Sequence, residues 1–437
     1  MAKKKMTLEE KLEEAIVKDA PYEVPDNWIN VKLNSIVKFE KGKKPKILID
    51  DFEDKAIPYV TIKYFQTKEA DQYTFETETN RLCKEDDILI VWDGARAGLI
   101  GTGVKGALGS TLCNIRLDDI NKKFMYYYFL SKYDLINSNT KGTGIPHVDP
   151  SYLDTLVLSI PPLKEQQRIV DRIESLFEKL DKAKELIEEA RDDFEKRKSA
   201  ILEKAFRGEL TKVWRKENNI NREWKREKLK DITKITSGGT PSRKHPEYFE
   251  GKIPWIKTGE ILWNKIYDSE EHITEEAIAN SSAKLIPEGA VLVAMYGQGL
   301  TRGRASILEK EACTNQAVCA LIPSDAVLNS YLYYYFMSNY WRFRQVAKGG
   351  NQENLSGKVI GAFEIDIPSI EEQNEIVRIL DKLLEEESKI EELTTLEEQI
   401  ELIKKSILAK AFRGQLGTNC EDDESALELL KEILSKE

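Results

Sequence analysis

The sequence is an internal duplication, and this constrains its fold more than any other feature. AFRGEL at residues 205–210 returns as AFRGQL at residues 411–416, an offset of 206 positions. IPPLKEQQRIV at residues 160–170 returns as IPSIEEQNEIV at residues 367–377, an offset of 207. A repeat this long exceeds the units of a solenoid, so the chain must hold two copies of one module. Two copies predict a pseudo-two-fold arrangement.

The two copies also match inside their globular parts. KLNSIVKFEKGKKP at residues 32–45 corresponds to KLKDITKITSGGTP at residues 228–241, at an offset of 196. FMYYYFLSK at residues 124–132 corresponds to YLYYYFMSN at residues 331–339, at an offset of 207. The offset changes within the globular part, which places the insertions there. We expect the YYYF segments to be helical and to bury their rings, with base stacking as the alternative.

Two long helices are expected between and after the globular parts. Residues 164–206 contain neither proline nor glycine, and their apolar residues recur in alternating steps of four and three. This seam is typical of a coiled-coil helix, here roughly 65 Å long at ~1.5 Å per residue. Residues 371–412 carry a similar seam that slips near Leu393, where the repeat offset falls from 207 to 206. We predict antiparallel packing of the two seams. The alternative is two amphipathic helices packed on separate domains.

The same features divide the chain into six segments. Residues 25–162 and 223–369 are predicted to be mixed α/β domains, because short β-rich runs alternate there with glycine-rich loops. The other four segments are an N-terminal arm with a short helix (1–24), a central helix (163–222), a C-terminal helix (370–416) and an acidic tail with a short helix (417–437). The predicted fold class is α/β (α+β), with two mixed domains in pseudo-two-fold repeat separated by two long antiparallel coiled-coil helices.

Charge and cysteine content narrow the possible functions. The net charge is −10, and residues 370–437 alone account for about −10 of it. The two α/β halves are therefore near neutral, which argues against a nonspecific phosphate binder and leaves room for local basic clusters. The five cysteines form no C-x-x-C pair, no apolar run approaches ~20 residues, and the N-terminus lacks an apolar core. These features predict a cytoplasmic protein without a membrane segment.

Loops in both halves carry side chains that suit DNA recognition. Arginine pairs with guanine, asparagine and glutamine pair with adenine, and lysine or backbone amides contact phosphate. In the first half the candidates are Lys41, Lys43, Lys44, Arg96 and His147. In the second half they are Ser237, Gly238, Gly239, Thr240, Arg243, Lys244, Gln298, Arg302, Arg304, Asn315, Gln316, Lys348, Asn351 and Gln352. The alternative for each loop is an ordinary solvated turn.

Catalytic motifs are missing from the sequence. A methyltransferase acting on an exocyclic amine needs Asn or Asp before two prolines and an aromatic residue, and residues 159–163 supply only the prolines. The Gly-Gln-Gly at residues 297–299 has Arg302 where a dinucleotide fingerprint needs its third glycine, and no P-loop motif occurs. The three histidines are far apart in the sequence, which argues against a zinc or catalytic site. We expect no cofactor in this chain.

The duplicated segments resemble a known family. PPLKEQQRIV and AFRGEL, with their second copies, are similar to the conserved regions of type I restriction-modification specificity subunits. PYEVPDNWINVKL at residues 21–33 resembles the usual entry into the first domain of that family. The resemblance extends from about residue 21 to residue 416. Two departures are Ser369 in place of a proline, and a first half that lacks the GGTPS loop and TNQ triplet of the second.

The resemblance implies a role in DNA recognition without catalysis. Each half would be a target-recognition domain that reads one part of a bipartite site in double-stranded DNA, and the helices would set the spacing. Two modification subunits, which carry S-adenosylmethionine, would dock on this chain. Restriction subunits, which use ATP and Mg, would join them. The leading alternative is a coiled-coil assembly or scaffold protein with two small ligand-binding domains, and a detached part of a fused methyltransferase-nuclease ranks last.

Overall fold

The structure is a computed structural model that describes residues 6–20, 22–79, 81–142, 144–220, 223–297, 300–346, 355–388 and 392–436. The chain divides into two compact units. Unit 1 comprises Met1–Leu186 with Thr395–Glu437, and unit 2 comprises Ile187–Thr394. Unit 1 therefore combines the two ends of the chain, whereas unit 2 is one continuous stretch.

The elements up to the first long helix belong to unit 1, apart from the C-terminal part of that helix. In chain order they are α1 (Leu8–Ala15), β1 (Ile29–Lys32), β2 (Val37–Lys41), β3 (Ala56–Val60), α2 (Ile62–Thr67), β4 (Tyr73–Phe75), β5 (Leu82–Cys83), β6 (Ile88–Val91), β7 (Ile100–Gly101), β8 (Gly106–Leu108), β9 (Leu112–Leu117), α3 (Lys122–Ser138), α4 (Pro150–Leu153), β10 (Val157–Ile160) and α5 (Leu163–Phe206).

The remaining elements begin in unit 2 and return to unit 1 within the last long helix. They are α6 (Lys212–Glu217), β11 (Lys225–Lys228), α7 (Leu229–Ile232), β12 (Ile235–Ser237), β13 (Ile253–Ile256), β14 (Lys265–Ile266), β15 (His272–Ile273), α8 (Glu275–Ala279), β16 (Val291–Ala294), β17 (Ala305–Leu308), β18 (Cys313–Thr314), β19 (Val318–Leu321), α9 (Asn329–Ser338), α10 (Tyr340–Val346), α11 (Gly357–Gly361), β20 (Glu364–Ile367), α12 (Ile370–Ser388), α13 (Glu392–Ala411) and α14 (Ala426–Ser435).

The sheets of the two units have the same plan. Unit 1 contains sheets of order β2-β9-β6-β7 and β4-β3-β8-β5, and the pair β1-β10. Unit 2 contains sheets of order β12-β19-β16-β17-β14 and β15-β13-β18, and the pair β11-β20. In each unit a central antiparallel run of apolar strands is buried, as Ile88–Val91 and Val291–Ala294 are along their whole lengths. The predicted mixed α/β architecture of both halves is confirmed.

The YYYF segments are core elements, as the sequence predicts. Tyr128 and Phe129 on α3 have no measurable exposure, and Tyr335 and Phe336 on α9 are also buried. The hydroxyl group of Tyr128 donates to the carbonyl oxygen of Val157 at 3.0 Å, which gives the buried phenol a partner. Burial raises the pKa of the Tyr128 and Tyr335 hydroxyl groups. These aromatic side chains therefore stabilise the fold and are not available to stack on bases.

The long helices bury one stripe each where they meet the globular parts. In unit 1, Ile169 and Ile173 of α5 share a buried cluster with Ile407 and Leu408 of α13. The second long segment is described as α12 and α13, and residues 389–391 between them lie outside the described part. The side chain of Leu393, where the sequence predicts a slip of the seam, also lies outside it.

Unit 2 buries the other ends of the same two segments. Leu202 and Ala205 near the end of α5 share a buried cluster with Ile376 and Leu380 of α12. The glycine of each AFRG segment follows the helix in a left-handed conformation, with φ of 69° at Gly208. A left-handed residue after the last turn commonly ends a helix, and glycine adopts it without steric cost. Gly208 therefore caps the C-terminal end of α5.

The repeated tryptophan and glutamate residues close each unit in the same way. In unit 1 the indole nitrogen of Trp28 donates to Glu165 Oε2 at 2.8 Å, and Thr418 Oγ1 donates to Glu165 Oε1 at 3.2 Å. Both carboxylate oxygens of the buried Glu165 are thereby satisfied. The segment after the last AFRG is thus joined to the entry of the first domain.

In unit 2 the corresponding carboxylate is Glu372. It accepts from Trp224 Nε1 at 3.1 Å and from Thr211 Oγ1 at 2.6 Å. Arg215 adds an ion pair to the same carboxylate, for which unit 1 has no equivalent among the hydrogen bonds of Glu165 in the described residues. Here the segment after the first AFRG is joined to the entry of the second domain. We call these buried, repeated residues and the elements they join the frame of each unit, and the loops extend from this frame.

The two ends of the chain form a small helical layer in unit 1. Helix α1 begins with a capping box in which Thr7 and Glu10 bond each other's backbone amides. The Lys11 ammonium donates to the carbonyl oxygen of Leu434 in α14 at 2.7 Å. The backbone amide of Ala426 donates to the carbonyl oxygen of Asn27 at 2.9 Å, which connects the tail to the start of the first domain.

Candidate nucleic-acid interface

The candidate residues of unit 1 lie on loops that meet at one end of its central sheet. The first loop follows β2, and the backbone amide of Lys43 donates to the carbonyl oxygen of Leu108 at 3.0 Å. The second loop, residues 109–111, joins β8 to β9. The third follows β6, and the amide of Trp92 donates to the Thr111 carbonyl oxygen at 2.8 Å. The fourth ends at Val148, whose amide donates to the Trp92 carbonyl oxygen at 2.9 Å.

Unit 2 builds the same connections with different sequences. The amide of Gly239 in its first loop donates to the carbonyl oxygen of Thr314 at 2.9 Å. The amide of Met295 donates to the Ala317 carbonyl oxygen at 2.9 Å, and the amide of Leu355 donates to the Met295 carbonyl oxygen at 3.1 Å. The matching backbone bonds define equivalent loop positions in the two units, even where the side chains differ.

Glycine is required where the first loop crosses the second. A Cβ atom on Gly42 would lie 2.2 Å from the carbonyl oxygen of Gly109, and one on Gly238 would lie 2.0 Å from that of Thr314. Neither backbone oxygen can move away cheaply, so a side chain would force the loops apart. This explains why a glycine occupies both equivalent positions, in loops that are otherwise unlike.

The unit 1 loops carry a cluster of charges around Asp93. Lys41 Nζ lies 2.9 Å from Asp93 Oδ2, and His147 Nδ1 lies 2.7 Å from Asp93 Oδ1. Lys41 and His147 each remain 47% exposed at their side chains. Sequence analysis proposed these two residues without a connection between them, and the structure brings them together through Asp93.

The remaining unit 1 candidates are solvent-facing. Lys43, Lys44 and Arg96 are exposed. The amide of Gly94 donates to the carbonyl oxygen of Pro146 at 2.8 Å, so the loop that carries Arg96 is held beside the fourth loop. The connected loops therefore carry four cations and one imidazole together with the Asp93 carboxylate, and this local excess of positive charge suits a negatively charged ligand.

In unit 2 the first and second loops bond through side chains. Thr240 Oγ1 donates to the amide oxygen of Gln316, and both residues are exposed. Asn315 Oδ1 accepts from the amide of Ala317 at 3.0 Å and from Thr258 Oγ1 at 3.2 Å. Its oxygen is therefore committed to the protein, whereas the glutamine at the next position faces solvent.

Arg243 and Lys244 differ in how strongly the protein holds them. The guanidinium of Arg243 stacks over Phe249 at 4.0 Å from the ring centroid and pairs with Glu271 at 2.7 Å. The hydrogen bond from Arg243 lowers the pKa of the Glu271 carboxyl group, and Lys257 adds to this effect against the opposing effect of burial. Arg243 thus organises its loop, and Lys244 beside it is exposed.

The arginine-bearing third loop of unit 2 is fastened by helix α10. Arg344 Nη1 donates to the carbonyl oxygen of Arg302 at 2.9 Å, and the Tyr340 hydroxyl donates to that of Leu300 at 2.5 Å. Arg302 and Arg304 are half-buried. The four remaining candidates lie outside the described residues, namely Gln298, Lys348, Asn351 and Gln352.

Sequence reasoning missed two residues in this region of unit 1. Asp93 bonds two of the proposed residues, Lys41 and His147, and Ser110 occupies the second loop at the position of Gln316. The repeat offset of 206 between residues 205 and 411 would have paired Ser110 with Gln316. The equivalent position in the second copy is Tyr296, which is chemically unlike an aspartate, so a comparison of the two copies gives no signal for Asp93.

Two further properties concern the described ranges as a whole. No group of three or more His, Cys, Asp or Glu side chains in them could hold a metal ion. None of their helices is long and apolar enough to cross a membrane. Each histidine instead contacts a carboxylate of its own unit, at distances of 2.7 to 2.9 Å.

A duplicated α/β module with polar and cationic loops at equivalent positions defines a class of proteins with two recognition domains. Residues 25–191 and 221–402 both match the type I restriction modification DNA specificity domain. The chain belongs to this family, and the resemblance noted in the sequence is confirmed.

Relatives and solved structures agree with this assignment. The chain is 28% identical to the type I restriction enzyme MjaVIII specificity subunit of Methanocaldococcus jannaschii, over 90% of this chain and 94% of the relative. It is 38% identical to the EcoR124I/EcoR124II specificity subunit of Escherichia coli over 37% of this chain and 40% of the relative.

Two solved structures share the fold. A chain from a structural study of assembly and conformational transition in a type I R-M system has a TM-score of 0.70 and 21% identity, covering 90% of this chain and all of the other. The HsdS subunit from Thermoanaerobacter tengcongensis has a TM-score of 0.54 and 19% identity, covering 91% of this chain and all of the other.

Proposed function

We propose that this chain is the sequence-specificity subunit of a type I restriction-modification complex and that each unit reads one half of a bipartite DNA site. The observation that carries the proposal is the repetition of one loop arrangement in both units. In each, backbone bonds such as Trp92 to Thr111 and Met295 to Ala317 hold the loops together. Base readout needs side chains fixed on a rigid scaffold, and such loops provide them.

The candidate residues divide by chemistry into two roles. Lys41, Lys43, Lys44 and Lys244 suit phosphate contacts because each carries an exposed positive charge, which in Lys41 also pairs with Asp93. Arginine and amide side chains suit direct readout of a base edge, and these are Arg96, Arg302, Arg304, Gln316 and Asn315. Asn315 would contribute its amide nitrogen only, because its oxygen is bonded within the protein. His147 and the glycine-rich loop at residues 237–240 would orient the loops and add contacts to the backbone of the DNA.

The long helices are proposed to run antiparallel and to fix the gap between the two half-sites. The shared burial of Ile173 with Leu408 in unit 1 and of Leu202 with Ile376 in unit 2 supports this pairing. The Lys404 ammonium also lies 2.5 Å from Asp181 Oδ1 across the two helices in unit 1. A pseudo-two-fold relation between the copies would let them meet the duplex in opposite orientations.

The partners follow from the family and from the absence of catalytic motifs in the sequence. We propose that two modification subunits, which bind S-adenosylmethionine, dock on the helices, and that restriction subunits using ATP and Mg join the complex in the cytoplasm. The chain itself then selects the site and performs no chemistry. Incubation of the purified chain with DNA and labelled S-adenosylmethionine should transfer no methyl group, and any transfer would contradict this assignment.

A domain exchange tests the proposed reading of two half-sites. The chain is reconstituted with its modification subunit, and the methylated sites are determined by sequencing. Replacing residues 224–366 with the corresponding domain of a relative should change one half of the methylated site and preserve the other. Methylation without sequence preference in the unmodified complex would instead favour a scaffold. A change in both halves would contradict separate reading.

An insertion tests the proposed role of the helices. Four residues added after Ala183 advance a helix by ~6 Å and about one turn, which nearly preserves the phase of its seam. Since duplex DNA rises ~3.4 Å per base pair, the gap should lengthen by one or two base pairs while both half-sites stay the same. An active complex with an unchanged gap would show that the helices do not set the distance.

A further inference from the structure

The second loop starts from the same strand pairing in both units. In unit 1 the parallel partners are Tyr59 and Ala107, and in unit 2 they are Trp255 and Cys313. Tyr59 and Trp255 are 196 residues apart, which is the repeat offset of the first loop. Ala107 and Cys313 are 206 residues apart, which is the repeat offset of the AFRG segments. The backbone that leads into the loop is therefore equivalent in the two units, despite differences in sequence.

The turn itself is also equivalent. In unit 1 the amide of Leu112 donates to the carbonyl oxygen of Gly109 at 3.0 Å. In unit 2 the amide of Val318 donates to the carbonyl oxygen of Asn315 at 3.2 Å. The residue after the first position of each turn is Ser110 in unit 1 and Gln316 in unit 2. These two side chains therefore leave the backbone at matching points.

The facing position in the first loop is matched as well. Gly42 and Gly238 make the same close approach to the second loop, so they are equivalent. Lys44 lies two residues after Gly42 and Thr240 lies two residues after Gly238, so these two residues correspond as well. In unit 2 this position and Gln316 are joined by a hydrogen bond at the exposed edge of the loops. In unit 1 the same corner presents an exposed lysine and a half-buried serine.

We infer that Ser110 is a specificity-determining residue of unit 1 and that Lys44 contacts the adjoining phosphate. This inference rests on the proposed function and deepens it, because it names the side chain in the first half that corresponds to a base-reading glutamine in the second. A serine hydroxyl can both donate and accept, so it can bond a base edge of either kind.

The local structure of unit 1 holds Ser110 ready for this contact. The backbone amide of Ser110 lies 3.3 Å from the Tyr59 hydroxyl oxygen, so the aromatic residue beneath the loop fixes its backbone. In unit 2, Trp255 at the equivalent position donates to the carbonyl oxygen of Gly239 at 3.0 Å, so it supports the facing first loop. Within the described residues no hydrogen bond uses the Ser110 hydroxyl, which leaves it available to a ligand.

The test exchanges side chains between the two corners in the full chain reconstituted with its modification subunit. Ser110→Gln should alter the preferred base at one or two positions of the half-site read by unit 1. Ser110→Ala should reduce discrimination at the same position about five-fold, the ratio expected for one hydrogen bond. Gln316→Ser should act on the other half-site only. The matched control is Ser138→Gln, an exposed serine on α3 of unit 1, which should change neither half-site.

The outcomes separate this inference from the proposed function. If the unmodified complex methylates no defined bipartite site, the proposed function itself fails. If it does so, and both Ser110 variants keep the original preference in both half-sites, Ser110 is not a reading residue. A change confined to the half-site read by unit 2 would overturn the inference equally. Thermal unfolding of each variant shows whether it is folded, and Ser110→Ala, which only removes an oxygen, decides the matter if Ser110→Gln does not fold.

Discussion

Units 1 and 2 share their frame and differ in the loops mounted on it. Both close on a buried glutamate that accepts a hydrogen bond from the indole N–H of a tryptophan, as Glu165 does from Trp28. Both then present loops joined by matching backbone bonds. The loops of unit 1 are rich in lysine and centre on Asp93, whereas those of unit 2 offer hydroxyl and amide groups such as Gln316.

This difference teaches where each kind of constraint acts. Repeated residues such as Glu165 and Glu372 are buried and hydrogen-bonded, so a change in one of them disturbs packing. The residues that differ are exposed at the loop edges, where a new side chain costs little stability and changes what the surface can bond. Changes in the loops can therefore alter recognition while the buried, repeated residues keep the fold of each unit.

The largest effect is expected at the frame itself. Glu372→Ala removes the partner of the Arg215 guanidinium and of the Trp224 indole, so the free energy of unfolding should fall by about 3–5 kcal/mol. Glu165→Ala breaks hydrogen bonds from Trp28, Thr418 and Asn419 but no ion pair within the described residues, and should cost about 1–3 kcal/mol. Urea denaturation of both variants measures the difference. Equal losses would show that the ion pair in unit 2 adds nothing.

Sequence reasoning reached the frame more easily than the interface. Repeats, helix-breaking residues and the YYYF pattern report burial and periodicity, which depend on residues near in sequence. The cluster of Lys41, Asp93 and His147 depends on chain crossings between distant loops, which no local pattern encodes. Arg243 shows the same limit, because its chemistry suits DNA while the structure commits it to Phe249 and Glu271.

The next largest effect is expected on the DNA affinity of the complex when arginine or lysine side chains in the loops of unit 2 are removed. Arg304→Ala should weaken binding to the cognate site by ~1–3 kcal/mol if its guanidinium reads a base. Lys244→Ala, on an exposed side chain of the same unit, should weaken binding to cognate and random DNA alike if Lys244 contacts phosphate as proposed. Fluorescence anisotropy of the reconstituted complex with both DNAs measures this. An equal fall for Arg304→Ala would make that residue a phosphate contact too.

A smaller and equal effect is expected at two matched tyrosines. The Tyr128 hydroxyl donates to the carbonyl oxygen of Val157 at 3.0 Å, and that of Tyr335 donates to the carbonyl oxygen of Glu364 at 2.8 Å. Replacing either tyrosine with phenylalanine removes one hydrogen bond without creating a cavity, so each should cost about 1 kcal/mol of unfolding free energy. Thermal and urea unfolding provide the comparison. A clear inequality would show that the two frames are not energetically equivalent.

The smallest stability change and the sharpest contrast between the units are expected at Asp93. Its ion pairs with Lys41 and His147 are partly exposed, so Asp93→Asn should alter the unfolding free energy by less than about 1 kcal/mol. Loss of the carboxylate leaves Lys41 uncompensated beside the other loop cations. Binding to random DNA should then strengthen, and its dependence on salt should steepen by up to ~0.9 in the logarithmic slope, because one more counterion is released. Affinity for the cognate site should rise less, so the ratio of specific to nonspecific binding falls.

In unit 2 the equivalent position is Tyr296, and Tyr296→Phe should leave the salt dependence unchanged. Titrations at several salt concentrations measure both slopes, and an unchanged slope for Asp93→Asn would mean that Lys41 does not face the DNA.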